Sequence, residues 1–331
     1  MEKVERSYRA ALAGLGNIAW LFDRTGNIGH DPLTHAASYI GNSKTVLVGG
    51  CSPDDEHRSA FEEAFGVPAC ASLEELLERL EPDIVSICSP TELHFEQVMC
   101  CLDRNIPMIW LEKPPAHSLG ELDRMIMKLS GQGGSTAVLV NYWRRYAENY
   151  RRLRAIYSEE SLGECRLVNM TYSRGLELNG SHLIDLLFSI VGDGTGWELE
   201  WVSSFGNPEN PSFALTLANG LGVLVSGIDV PYNCGDISLV FENGRASILH
   251  GGMTTVTEDK VENDLFPGFY RLRESADNYL GDGGIGGSLG AALDDLIRAH
   301  EHGDRPRSDL RSARNALGVI ECVRQRQRSS D

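Results

Sequence analysis

From Tyr8 to Asn141 the chain alternates short β-rich apolar runs with amphipathic helical stretches, a rhythm that few folds can accommodate. A strand followed by a helix cannot pair with the next strand through a tight turn. It pairs in parallel instead, with helices laid over both faces of the sheet. The pattern predicts strands over Tyr8–Ala13, Thr45–Val48, Asp83–Cys88, Met108–Glu112 and Ala137–Asn141. Helices are expected over Asp54–Phe65, Leu73–Leu80, Leu93–Leu102 and Leu119–Leu129. Residues 1–142 therefore read as an α/β domain with a doubly wound parallel sheet.

Beyond Tyr146 the rhythm changes. A basic helix over Tyr146–Tyr157 leads into alternating runs at Cys165–Tyr172, Leu199–Phe205, Phe213–Leu217, Leu221–Ile228, Ile237–Phe241 and Ala246–His250. Asn219-Gly220 and Asn243-Gly244 are hairpin signals, because both residue types tolerate positive φ. Residues 143–331 are thus expected to form an α+β domain with an open, mainly antiparallel sheet, covered by a helix over His182–Val191. Pro267, Gly268 and the run Gly281–Gly287 read as a long irregular segment. Two helices, about Leu289–His300 and Ser308–Arg324, close the chain, either within this domain or packed back on the first.

Charge narrows the function classes. Thirty Lys and Arg against 47 Asp and Glu give a net charge of −17 over 331 residues, and the basic residues cluster only in short runs. That balance excludes a nucleic-acid binder, which needs concentrated positive charge. No apolar run approaches the roughly 20 residues of a membrane helix, so a cytoplasmic protein is expected. Eight scattered cysteines, without zinc spacing, read as reduced core residues, and no metal site is expected.

The first chemical motif is Gly14-Leu15-Gly16-Asn17-Ile18-Ala19, directly after the first strand. It fits G-x-G-x-x-G/A, the turn that brings backbone N–H groups to a pyrophosphate at a helix N-terminus. Where an acid normally meets the adenosine ribose, at the tip of the second strand, this chain has Ser52 followed by Asp54, Asp55 and Glu56. Those acids favour NAD(H) over NADP(H), unless Arg58 folds back over a 2′-phosphate. An insertion over Leu21–Ser43 pushes the second strand away; with Trp20, Asp23, His30 and His35 it forms either a lid over the cofactor or a longer first helix and connection.

Three further segments carry a family resemblance. The stretch Ser86-Ile87-Cys88-Ser89-Pro90-Thr91-Glu92-Leu93-His94 resembles the I-x-T/S-P-x-x-x-H motif of the Gfo/Idh/MocA oxidoreductases, named for glucose-fructose oxidoreductase and inositol dehydrogenase. Glu112-Lys113-Pro114 matches their E-K-P signature, and Gly180-Ser181-His182-Leu183-Ile184-Asp185 resembles their G-x-H-x-x-D motif. The resemblance implies a Rossmann domain, a second domain whose sheet mediates homodimers or homotetramers, a nicotinamide cofactor, and hydride transfer on a sugar or nucleotide-activated sugar. It assigns the cofactor to Gly14, Gly16, Asn17, Ile18, Ala19, Ser52, Ser89, Pro90, Thr91, His94, Glu112 and Lys113.

Lys113, expected at the carboxyl end of a buried parallel strand, can donate to the reacting substrate oxygen as an alcohol loses its proton; the rival reading is a surface lysine. His182 can take or return that proton; the rival is a core histidine. Asp185, one turn on, either orients the imidazole, meets a substrate hydroxyl, or serves as helix-end charge. Many family members carry an Asp four positions before the histidine; here Leu178 stands there and cannot titrate. Tyr172, Arg174 and Asn179 are candidate substrate contacts or sheet-edge residues. Arg144 and Arg145 either clamp a substrate phosphate or carboxylate, or pair with acidic surface groups. Two other readings stand beside the dehydrogenase: a glycosidase that oxidises and re-reduces its sugar through tightly held NAD, and a non-catalytic dinucleotide sensor.

Overall fold

In the computed structural model the described residues are 7–24, 31–133, 136–205, 207–275, 279–280, 284 and 286–329. They divide into two units, 1–143 with 286–313, and 144–285 with 314–331.

The first unit is built on strands β1 (Tyr8–Ala13), β2 (Thr45–Cys51), β3 (Ala69–Cys70), β4 (Ile84–Ile87), β5 (Met108–Leu111) and β6 (Ala137–Val140). All pair in parallel, in the order β3-β2-β1-β4-β5-β6. Every residue of β4, β5 and β6 is buried, as a parallel sheet covered on both faces requires. Between the strands run α1 (His35–Gly41), α2 (Asp55–Phe65), α3 (Leu73–Leu80), α4 (His94–Asp103) and α5 (Leu119–Gly131). Polar side chains start four of them: Thr34, Asp54, Ser72 and Ser118 each accept a first-turn backbone N–H. The two-residue edge strand β3 is too short to leave an alternation in sequence.

The sheet reverses its order beside β1, the place where open α/β sheets bind ligands. There the ladder runs on past the strand ends: Cys88 N–H donates to Ala13, Glu112 N–H to Ile87 and Asn141 N–H to Leu111. Gly14, Cys88, Glu112 and Asn141 therefore stand side by side in one row. Gly14 has φ +93°, and a Cβ there would lie 2.7 Å from the Ser89 backbone nitrogen. Only glycine permits that approach.

In the second unit α6 (Glu148–Ser158) precedes β7 (Cys165–Tyr172), and α7 (Ser181–Val191) follows it. The sheet continues with β8 (Trp197–Ser203), β9 (Ser212–Leu217), β10 (Gly222–Gly227), β11 (Gly235–Phe241), β12 (Gly244–Leu249), β13 (Thr254–Glu262), β14 (Tyr270–Glu274) and β15 (Tyr279–Leu280). Its order is β14-β13-β12-β11-β7-β10-β9-β8, with β15 beside β13; among the described residues only β10 and β7 pair in parallel. The Asn-Gly pairs join β9 to β10 and β11 to β12, where the sequence placed hairpins. One expectation fails: β13 and β14 form a hairpin within the stretch read as irregular. The β-branched run Thr254-Thr255-Val256-Thr257 was its signal, outweighed by Pro267 and Gly268, which occupy the turn rather than the strands.

Ten consecutive residues of α7, Ser181 to Ile190, are buried, so this largely apolar helix is enclosed all round, its His182 and Asp185 included. The chain closes with α8 (Ser288–His302), which packs against β5 and β6, and α9 (Arg314–Arg328), which packs against α7. Among the described residues no helix is long and apolar enough to cross a membrane. Replacing Gly14 with alanine forces both a strained φ and a backbone clash; unfolding followed by circular dichroism is expected to register a loss of at least about 1–3 kcal/mol from the φ strain alone.

Candidate active site

The row at the carboxyl ends of β1, β4 and β5 gathers the motifs of the first unit. Gly16 differs from Gly14: a Cβ there would meet no protein atom within 4 Å. Packing does not demand this glycine, so the open space beside it is available to a group brought against the backbone. That is the fit a pyrophosphate needs, and Asn17, Ile18 and Ala19 continue the turn. At the tip of β2, Ser52 is buried and its hydroxyl accepts the Asp54 N–H, while Asp54 caps α2 through the N–H groups of Glu56 and His57. Arg58 donates to the Ser52 carbonyl at 2.6 Å and pairs with Asp55, rather than reaching outward.

Ser89, Pro90 and Thr91 form the loop after β4, and His94 begins α4 beneath them. His94 is buried, with Nδ1 2.8 Å from the Pro114 carbonyl and Nε2 2.9 Å from the Ser89 carbonyl. The ring thus braces the loop after β4 against the loop after β5. Burial lowers its proton affinity, partly offset by those carbonyls. A histidine assigned to the cofactor by resemblance therefore touches backbone on both sides of its ring.

Lys113 stands half-buried at the end of β5, joined to Pro114 by a cis peptide bond. Glu112, beside it, points inward. Its Oε1 accepts from Asn141 Nδ2 at 2.5 Å and from His35 Nε2 at 3.0 Å, and its Oε2 from the Lys113 N–H at 3.2 Å. Burial pushes the Glu112 carboxyl up, but the His35 and Asn141 donors and the Lys113 charge hold it below the ordinary carboxylate range.

His35 arrives there through the insertion. His35 N–H donates to the Ile18 carbonyl and Ala36 N–H to Ala19, so the start of α1 sits on the turn that follows the glycine-rich loop. Asp23 accepts from the Leu33 N–H and the Thr34 hydroxyl just before α1. Trp20 is buried, its Nε1 donating to the Leu15 carbonyl, and His35 is fully buried. These two belong to the core rather than to a lid; His30 lies outside the described residues.

In the second unit His182 is buried in the first turn of α7, directly after a π-helical turn over Leu176–Gly180. Such turns recur at functional sites. Arg174 and Gly175 both have positive φ, which bends the chain from β7 into that turn. Leu178 is exposed and Asn179 donates to Asn233 Oδ1. Tyr172 is fully buried and donates to the Pro211 carbonyl, a bond that holds it inside the sheet.

Asp185 is turned away from solvent onto Arg145, which donates to both its oxygens at 2.7 and 2.8 Å. The same guanidinium donates to both oxygens of Asp193, at 2.9 and 2.7 Å. Asp193 was invisible to motif reading, since nothing in sequence marks it as a partner of Arg145. With two carboxylates on its fork, Arg145 has no edge left to offer a substrate anion. Arg144 is buried beside Tyr150.

Residues 9–142 match the family described as "Oxidoreductase family, NAD-binding Rossmann fold" (GFO_IDH_MocA). Inositol 2-dehydrogenase of Gluconacetobacter diazotrophicus is 27% identical over 145 residues, 44% of this chain and 42% of the relative. D-glucoside 3-dehydrogenase of Escherichia coli is 26% identical over 52% of this chain and 44% of its own length. The chain thus aligns with less than half the length of these relatives. Among solved structures, the WlbA dehydrogenase from Bordetella pertussis in complex with NADH and UDP-GlcNAcA superposes with a TM-score of 0.78 at 16% identity, covering 99% of this chain and 97% of that one. An oxidoreductase from Agrobacterium radiobacter, in complex with NAD+, L-tartaric acid and magnesium, gives 0.74 at 14% identity over 98% and 97%.

The contrast between the two glycines is testable: Gly16→Val is expected to leave thermal unfolding in place while NADH affinity, read by fluorescence, falls at least about tenfold. Asp185→Asn, by loosening a buried ion pair, is expected to cost about 3–5 kcal/mol in denaturant unfolding, as is Arg145→Met.

Proposed function

We propose that this chain, a member of the Gfo/Idh/MocA oxidoreductases through its Rossmann segment 9–142, transfers hydride between a nicotinamide dinucleotide and a hydroxyl or keto carbon of a sugar or nucleotide-activated sugar. The observation that carries this reading is the placement of Lys113 at the end of β5, in the same row of strand ends as the Gly14 turn. When bound, the dinucleotide supplies the hydride acceptor or donor. Gly14, Gly16 and the N–H groups after them would hold its pyrophosphate, and Ser52 its adenosine ribose.

Lys113 donates to the substrate oxygen and stabilises the negative charge that grows there as the hydroxyl proton leaves. His182, in the second unit, is the proposed acid–base group, an imidazole suited to taking a hydroxyl proton in oxidation and returning it in reduction. Leu178 has no proton to exchange and Glu177 of the same turn is paired with Arg324, so Asn179 serves as a substrate contact with Arg174. The engaged Arg58 guanidinium supports NAD(H) over NADP(H), because a 2′-phosphate would meet Asp54 and Asp55 without a free arginine. The sugar-named relatives support the substrate class.

Self-association into a homodimer or homotetramer is part of the proposal. The β13–β14 hairpin exposes Leu265, Phe266, Phe269 and Tyr270, an apolar group larger than solvent exposure favours. Light scattering after size exclusion reads the stoichiometry, and a monomer at micromolar concentration would contradict it.

Purified protein mixed with NAD+ and a panel of myo-inositol, methyl glucosides and UDP-sugars is expected to raise absorbance of the reduced cofactor with at least one of them. Lys113→Ala and His182→Ala are each expected to lower turnover by about 10²–10⁴-fold, with dinucleotide affinity kept within a few-fold in His182→Ala. Full turnover by Lys113→Ala overturns the mechanism. Release of an aglycone without net cofactor change would mark a redox-assisted glycosidase, and binding without any turnover a sensor.

A further inference from the structure

Beneath Lys113 lies a connected set of buried polar groups that the proposed chemistry does not consume. Tyr39, one turn after His35 on α1, has its hydroxyl 2.5 Å from Ser86 Oγ. Ser86 Oγ is 2.8 Å from His35 Nδ1, and His35 Nε2 is 3.0 Å from Glu112 Oε1. His35 and Ser86 are fully buried, as is Tyr39, and the imidazole lies against Trp110 with ring centroids 3.9 Å apart. Trp110 in turn donates to Asn141 Oδ1, whose amide nitrogen reaches Glu112.

The direction of these bonds follows from donor accounting. Glu112 as a carboxylate only accepts, so His35 Nε2 carries a proton. Burial raises the Tyr39 phenol well above its ordinary range, so Tyr39 stays a donor. Ser86 accepts from Tyr39 and donates to His35 Nδ1, and no member of the chain is left unsatisfied. The titratable groups facing Glu112 are His35 from α1, Cys88 from the end of β4, His94 from α4 and Lys113 from its own strand.

We infer that His35 is a positioning residue: through the chain Tyr39–Ser86–His35 it holds Glu112 as an oriented carboxylate next to Lys113. The catalytic consequence rests on the role proposed above for Lys113, whereas the state of Glu112 does not. A carboxylate this enclosed keeps its charge only while its donors stay in place. Removing the Nε2 donor leaves Glu112 easier to protonate, and the end of β5 then loses the negative charge that steadies the ammonium. Folded pKa raised towards neutrality means that the charge is lost as pH falls, so the damage appears on the acid side of a pH profile.

The test uses the full chain labelled with carboxyl-13C glutamate, Glu112→Gln assigning the resonance. Asparagine at position 35 overlays Nδ1 and stops short of Glu112; glutamine reaches it. His35→Asn and His35→Phe are expected to raise the Glu112 titration midpoint by about one unit or more, and His35→Gln to return it towards wild type. NADH affinity should stay within about threefold in all three. With the panel sugar that wild type oxidises fastest, His35→Asn is expected to lose about 10- to 100-fold in turnover at low pH and to recover as pH rises. A Glu112 midpoint unmoved in both His35→Asn and His35→Phe overturns the inference, as does a His35→Gln variant displaced as far as His35→Asn. The two readings separate cleanly: if Lys113→Ala keeps full turnover while the midpoint still moves, the assignment to Lys113 falls and the hold of His35 on Glu112 stands.

Discussion

A carboxylate stripped of water must find donors inside the protein, and at the end of β5 that requirement organises the first unit. Glu112 takes hydrogen from Asn141 on the neighbouring strand end, from His35 on α1, and from the backbone of Lys113. The first two bonds tie other elements, the end of β6 and α1, to the row of strand ends where Gly14 and Ser89 already touch, and the third is local. The lysine is therefore presented by a backbone that the neighbouring β6 end and α1 hold in place through Glu112. Removing water from one acid residue makes this rim of the sheet a single connected structure.

The insertion shows how much chain a fold can absorb without losing such a contact. The N-terminus of α1 settles on the turn after the glycine-rich loop, His35 and Ala36 donating to the carbonyls of Ile18 and Ala19. What is preserved is the site at which an imidazole meets Ser86 and Glu112. In the second unit the same economy of buried charge appears at Arg145, which satisfies Asp185 and Asp193 together.

Much of this was legible in the chain. The doubly wound sheet followed from alternating runs, the antiparallel sheet from its Asn-Gly turns, and the places of Gly14, Lys113 and His182 from motif spacing. Three features were not. The β13–β14 hairpin was masked by Pro267 and Gly268 at its turn. Asp185 and Arg145, read as substrate contacts, spend their polar atoms on one another, and no one-dimensional pattern tells a polar group facing a ligand from one facing a partner 40 positions away. Tyr172 likewise sits inside the sheet, bonded to Pro211.

Periodicity, glycine placement and capping residues act within a few positions of one another, and so the sequence by itself determined most of the elements outside the β13–β14 hairpin, their parallel or antiparallel habit, and the turn shaped for a dinucleotide. The direction in which each polar side chain points was decided only in three dimensions. A buried donor or acceptor binds whichever partner the packed elements bring within about 3 Å, and that partner can stand anywhere along the chain. His35 meeting Glu112 across 77 positions is a product of packing: α1 had to settle on the sheet before either residue could have a role.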